Sequence, residues 1–307
     1  MSAARPASHR HPRWREFKFT LKRIFRNPAA VIGFVLLAFF AAAAVFAPQI
    51  APPQYAYDPY MMPHKGFSPT PKPPDAQHPF GTTAGQYDIF YGVVWGTRTA
   101  FKIGLFVVGI SGVIGVSLGA VAGYYGGIVD EILMRIIDII WAIPTLVLAM
   151  AIVVAFGRGL DKVMIALALI QWRWYVRVMR AEILTLREQD FVQAARIMGV
   201  SDARIIVRHI LPNAIFPVLI MASMDMGSMV ITASFMSFVG LGAPKGYADW
   251  GQMVALARNY IVGPPGDPLR FWYTIAIPGA CIILFVLAWN LIGDALRDAF
   301  DPKLRRR

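Results

Sequence analysis

The sequence predicts an all-α integral membrane protein with about six transmembrane helices and both termini on the cytoplasmic side. Three observations carry that expectation. The 307-residue chain is 57% hydrophobic and 16% charged, and several uncharged runs reach the roughly 20 residues a helix needs to cross a bilayer. The net charge of +12 is unevenly placed. Residues 1–28 hold eight Lys or Arg against Glu16 alone, residues 173–208 hold seven Arg against four acids, and residues 297–307 hold five basic residues against Asp298 and Asp301. These clusters border apolar spans, the positive-inside signature, whereas a nucleic-acid binder gathers its basic residues on one soluble face. Finally, six spans place both ends inside, and that topology puts 21 of the 30 Lys and Arg on cytoplasmic segments.

Taken in order, residues 1–28 form a basic cytoplasmic tail, with Trp14 and Phe17 at headgroup level. The first span runs from Ala29 to Ala47; it is longer than the 7–15 apolar residues of a signal peptide and reads as uncleaved. Residues 48–99 carry ten prolines and cannot be one continuous helix, so they form an extracytoplasmic loop. The second span, Phe101 to Tyr125, is dotted with glycines; Gly115, Gly119 and Gly123 make two small-xxx-small pairs that favour close helix contact. Gly126 and Gly127 turn the chain at the cytoplasmic face, near Asp130, Glu131 and Arg135. The third span, Ile136 to Phe156, holds Asp138 and a kinking Pro144. A membrane Asp costs ~2.5–3.5 kcal/mol at mid-bilayer, so Asp138 is either the structural partner of an Arg or a gating element.

The fourth span, Val163 to Met179, is partly polar, with Arg173 and Arg177, and its Trp172, Trp174 and Tyr175 suit an interfacial belt. The fifth, Ala214 to Phe238, holds Pro217 and, near mid-membrane, Asp225. Asp225 is a functional candidate by default or a hydrogen-bond partner of Ser223, Ser228 or a neighbouring helix. Residues 239–270 return to Gly and Pro as an outer loop, where Trp250 also suits a membrane-surface anchor. The sixth span, Trp272 to Gly293, leads to the basic end. The organisation is therefore a tail (1–28), a first span with its Pro-rich loop (29–99), a five-helix core (100–297) and a closing tail (298–307). Cys281, the single cysteine, lies in an apolar run and cannot form an intrachain disulfide.

Between the fourth and fifth spans, residues 187–212 are polar, basic and helical in pattern. Asp190 is placed to cap a short helix in which Phe191, Ala194, Ala195 and Met198 share one face. Gly199 sits where a helix ends, Ser201 is placed to cap a second helix, and Pro212 to end it. The product is a helix, a turn and a helix outside the membrane. Its Ala194 and Ala195 ridge suits docking into a partner's groove, or the loop simply packs on itself.

The order Gln193-Ala194-Ala195, three residues, Gly199, eleven residues, Leu211-Pro212 resembles the coupling loop of importer-type ABC transporter permeases, with Gln193 where that family has Glu and His209 where it usually has Ile. Arg208 to Asn213 resembles the branch serving dipeptides, oligopeptides and nickel. Pro48 to Pro59 and His78 to Thr82 resemble the loop of its C-type permease, and Met134 to Pro144 and Asn290 to Pro302 follow the family too. Gly240, Gly242, Trp250 and Gly251 fall in stretches similar to the family's outer loop, which faces the channel mouth and the binding protein.

The resemblance implies an importer type I (MetI-like) permease fold in a bacterial inner membrane. It implies alternating access, with Asp190, Gln193, Ala194, Ala195, Gly199, Leu211 and Pro212 coupling the chain to an ATPase. The implied partners are two ATPase subunits or domains, a second related permease, an external binding protein and membrane lipid. Asp138, Pro144 and Asp225 are candidates for translocation or gating. No G-x-x-x-x-G-K-[ST] loop or H-E-x-x-H motif occurs. The chain is therefore expected to be no enzyme, to bind no cofactor or metal, and to depend on ATP used by the partner. The alternative is an ion- or proton-coupled carrier acting without an ATPase.

Overall fold

The computed structural model describes residues 27–64, 66 and 68–300. The tail through residue 26, with Trp14 and Phe17, and residues 301–307, with Pro302, lie outside the described residues.

Helix α1 is Pro28–Val45; the Asn27 side chain accepts a hydrogen bond from the Ala29 N–H at 3.0 Å, and Pro28 occupies the first turn, where its missing donor costs nothing. A short α2, Ala47–Ile50, leads into the Pro-rich loop. Helix α3, Ile89–Tyr125, begins twelve residues before the expected second span. Residues 89–99 are thus helix, not loop: the last proline is Pro79, and Asp88 caps the new helix by accepting from the Tyr91 N–H at 2.9 Å. At 1.5 Å per residue α3 is about 55 Å long, well beyond the hydrocarbon thickness.

The expected third span is two helices, α4 (Gly127–Trp141) and α5 (Thr145–Phe156), bent by 88° across residues 142–144. Pro144 does more than kink: it sits at φ −53° and ψ 128° as the N-cap of α5 and bars the preceding residue from helical geometry. Gly126 and Gly127, at φ 66° and 57°, make the turn before α4 that their sequence predicts. Helix α6 is Leu160–Leu186. The cytoplasmic loop then forms α7 (Asp190–Ile197), α8 (Asp202–Arg204) and a π-helical segment, Ile205–Ile210, that runs straight into α9 (Leu211–Val239). Pro212 therefore does not end a helix. The widened turn before it absorbs the proline's missing donor and ring, and Asp202–Val239 continues as one 38-residue stretch. The outer loop contains α10, Trp250–Leu256, and the described chain closes with α11, Tyr273–Phe300.

Four of these stretches are long and apolar enough to cross a membrane: α1, α3, α8 through α9, and α11; the bent α4–α5 pair makes a fifth. Helix α6 is 27 residues long but carries Asp161, Lys162, Arg173, Arg177, Arg180 and Glu182. It is tolerated because it lies inside the bundle, buried along its length from Leu160 to Ile183 and packed on α3. The glycines explain the fit. A Cβ added at Gly119 would lie 2.7 Å from the Val176 carbonyl oxygen and 2.9 Å from Met179 Cβ, and one at Gly123 would lie 2.8 Å from Ile183 Cβ.

Candidate functional site

The cytoplasmic loop is built outward from the ends of α3 and α6. Gln189 takes the N-cap position of α7, and Asp190 is its first helical residue rather than its cap, its charge lying at the positive end of the helix. The predicted face divides. Val192 and Ala195 are buried, Ala195 at 1% exposure, whereas Phe191, Ala194, Ile197 and Met198 face outward. Ala195 therefore holds the helix down and is not part of the exposed ridge. Ile197, 87% exposed, joins that ridge, and Met198 is 73% exposed. The helix closes as predicted at Gly199, with φ 73°. The Gly199 N–H donates to the Arg196 carbonyl at 2.9 Å and the Val200 N–H to that of Ala195 at 3.1 Å, a Schellman motif. Ser201 occupies the N-cap position of α8, but its hydroxyl makes no capping bond there.

Polar side chains clamp this loop to the bundle. Arg187 Nη1 donates to the carbonyls of Gly123 (2.9 Å) and Tyr124 (3.5 Å), and Gln193 Nε2 donates to the Arg187 carbonyl at 3.3 Å. The Tyr124 hydroxyl donates to Asp202 Oδ1 at 2.6 Å, and the Arg196 guanidinium lies over the Tyr124 ring. The hydrogen bond with the Tyr124 hydroxyl keeps Arg196 charged above its ordinary value. Arg180 pairs with Asp130 of α4. Tyr124, Arg187 and Asp202 were not singled out in the sequence, since their partners come from distant segments.

On the bundle surface, Asp138 forms an ion pair with Arg177, whose guanidinium stacks 3.7 Å from the centre of the Trp141 ring. Asp138 is thus an arginine partner. Arg173, 2% exposed, donates to Thr145 Oγ1 at 2.7 Å, next to Pro144. Asp225 bonds a neighbouring helix: its Oδ2 accepts from Gln171 Nε2 at 2.9 Å and from the Tyr175 hydroxyl at 2.8 Å. Tyr175 is wholly buried, not interfacial; Trp174 is exposed and packs on Trp141.

The outer loop is locked rather than open. Trp250, 2% exposed, packs on Phe40 and Phe285 and donates from Nε1 to the Val93 carbonyl at 3.2 Å, so it is a core residue and no surface anchor. Asp249 accepts from the Ser237 hydroxyl (2.8 Å) and the Gly251 N–H (2.7 Å); burial pushes its carboxyl upward, while these donors act the other way. Gly240 ends α9 at φ 87°, and the Ser237 backbone lies 2.9 Å from where a Gly242 Cβ would stand. Gly251 sits against the Ser234 backbone.

The family model of the binding-protein-dependent transport system inner membrane component matches residues 115–306. This chain belongs to that family. The model of the N-terminal transmembrane domain of oligopeptide transport permease C matches residues 13–74. Similar proteins include the dipeptide transport system permease protein DppC of Alkalihalophilus pseudofirmus, 36% identical, covering 95% of this chain and 90% of that one. The glutathione transport system permease protein GsiD of Pectobacterium atrosepticum is 36% identical (95% and 92% covered). The oligopeptide transport system permease protein OppC of Bacillus subtilis is 32% identical (94% and 90% covered). The methionine ABC transporter MetNI, solved in inward-facing conformations, shares the fold at a TM-score of 0.53 and 19% identity, over 69% of this chain and 98% of that one. The chain is a C-type permease subunit of an ABC importer, an inner-membrane component and not an enzyme. The ion- or proton-coupled carrier finds no support in these relatives.

Proposed function

We propose that this chain translocates peptides or related small solutes as one of two related permeases. It works with two ATPase subunits or domains, which use the ATP, and with an external binding protein that delivers the solute. The relatives' transport systems support the peptide class. The observation that carries the coupling role is the outward ridge of Phe191, Ala194, Ile197 and Met198 on a helix clamped from behind. Burying one such large apolar side chain in a partner contributes ~1.5–3 kcal/mol, so Phe191, Ile197 and Met198 together suffice to seat a small helix, with Ala194 allowing close approach. Asp190 and Gln193 flank the ridge. Gly199 sets its end, and Leu211-Pro212 pass motion into α9. Closure of the ATPases on nucleotide pulls α7 and, through its clamps, swings α3 and α9 between outward and inward access.

The test is recovery of the ATPase with the tagged chain in mild detergent. Ala194→Trp or Met198→Glu is expected to reduce recovery at least tenfold while leaving membrane insertion unchanged. Full recovery with both variants would overturn the coupling role. Ala195 is the wrong place for this test, because a bulky residue there disrupts the loop itself.

A further inference from the structure

Asp225 lies at the middle of α9, on the face that also carries Pro217, Met221 and Met224. This face lines a cavity of about 720 Å³. Glu182 of α6 and Arg297 and Phe300 of α11 bound it on the other sides. Around Asp225 the walls are apolar, with Ile220, Met221 and Met224. The other polar groups, Glu182, Asn213 and Arg297, stand towards the cytoplasmic ends of their helices. The cavity therefore leads from the cytoplasmic end of the bundle to a carboxylate at mid-helix.

That carboxylate is held in place and half used. Gln171 and Tyr175, one turn apart on α6, both donate to Oδ2, at 2.9 Å and 2.8 Å. Oδ1 accepts nothing among the described residues, and Asp225 makes no ion pair among them. A carboxylate offers about four acceptor positions, and partly buried Asp225 has donors on one oxygen only. With both donors on one oxygen of a residue that lines the cavity, a ligand there can supply what the other is missing. The apolar walls strengthen any such charge pairing by excluding water.

We propose that Asp225 binds the ammonium or guanidinium group of the transported solute at the head of an inward-facing vestibule. This rests on the permease reading above and adds a substrate class: solutes carrying a cationic amine, such as a peptide's free N-terminus or a basic side chain. Glu182, on the α6 side, is a second carboxylate on the way out, and Arg297 at the far end suits the solute's opposite charge.

The test uses the complete importer in inverted membrane vesicles. A thiol is introduced by Met221→Cys in a Cys281→Ser background. Its rate of modification is measured with a cationic trimethylammonium-ethyl thiosulfonate and with an anionic sulfonatoethyl thiosulfonate. With Asp225 present, the cationic-to-anionic rate ratio is expected to be about tenfold or more above that of the Asp225→Asn variant, the scale on which a charged cleft concentrates counter-ions. Equal ratios in the two proteins, or no modification by either reagent, overturn the proposal. Uptake by intact cells supplies a second readout. Asp225→Asn is expected to slow uptake of a free-amine peptide about tenfold and of its N-acetylated form less than twofold, with the same binding protein serving both. Equal loss of both peptides means that Asp225 only holds α6 to α9 and overturns the proposal. Failure of the unaltered importer to take up any peptide would overturn the peptide reading instead, and the labelling ratio would still decide the site.

Discussion

Gly199 shows what a single residue contributes to the loop. Its φ of 73° lies in the left-handed region, and a Cβ placed there would meet nothing within 4 Å. The penalty for another residue is therefore backbone strain without a clash, on the order of 1–2 kcal/mol. A β-branched side chain suffers most and Asn least, because Asn tolerates this conformation. Gly199→Val is expected to loosen the Schellman closure of α7 and lower ATPase recovery severalfold, while Gly199→Asn keeps it within twofold. Equal loss with both would show that the position contacts the partner directly. Gly199 was legible in the sequence because turn chemistry is local. Ala195 was not assigned correctly. Spacing placed it on a face with Ala194, but which edge of that face is buried depends on α7's tilt against the bundle, and that is set by distant groups such as Arg187 and Tyr124.

At the scale of elements, the α3–α6 pairing organises the bundle. Gly115, Gly119 and Gly123 form a stripe on α3 into which Tyr175, Val176, Met179 and Ile183 settle. The contact seats a helix with six charged residues against the bundle, where two of its arginines find partners: Arg177 with Asp138 and Arg180 with Asp130. Gly119→Leu would push the backbones apart and draw Arg177 and Arg180 away from their partners. It is expected to cost ~1–3 kcal/mol, the scale of overpacking. The measurement is the melting temperature in detergent, with Gly112→Leu as control, since nothing lies within 4 Å of an added Cβ at Gly112. An equal effect at both positions would sink the close-contact account. The sequence reveals the glycine stripe and most of the apolar runs, because their signals are periodic. It missed the start of α3 at Ile89, the 88° break and the continuity of α9 through Pro212. In each case a proline or a cap admits more than one geometry, and packing against other helices selects one.

Across the whole molecule, α3 joins the two sides of the membrane. At its outer end, Thr99 Oγ1 donates to the Ala248 carbonyl at 2.7 Å, and Trp250 donates to Val93. At its inner end, Tyr124 holds Asp202 and Arg187 holds the last carbonyls. A rigid helix fastened to both the coupling loop and the outer loop is a physical route by which motion at one face reaches the other. Spatial continuity alone does not establish coupling; an interaction energy must be measured. The Tyr124–Asp202 bond is the place to measure it, since a hydrogen bond to a charged group contributes ~1.5–3 kcal/mol. A double-mutant cycle with Tyr124→Phe and Asp202→Asn separates that pairwise contribution from the effects of either change alone. Each single variant is expected to keep ATPase recovery but to lower uptake per ATP hydrolysed, and the double variant to be no worse than the poorer single one. Additive losses would mean that the two side chains act separately, and an unchanged transport-to-hydrolysis ratio in all three would mean that α3 is a scaffold and motion reaches the outer loop through α9.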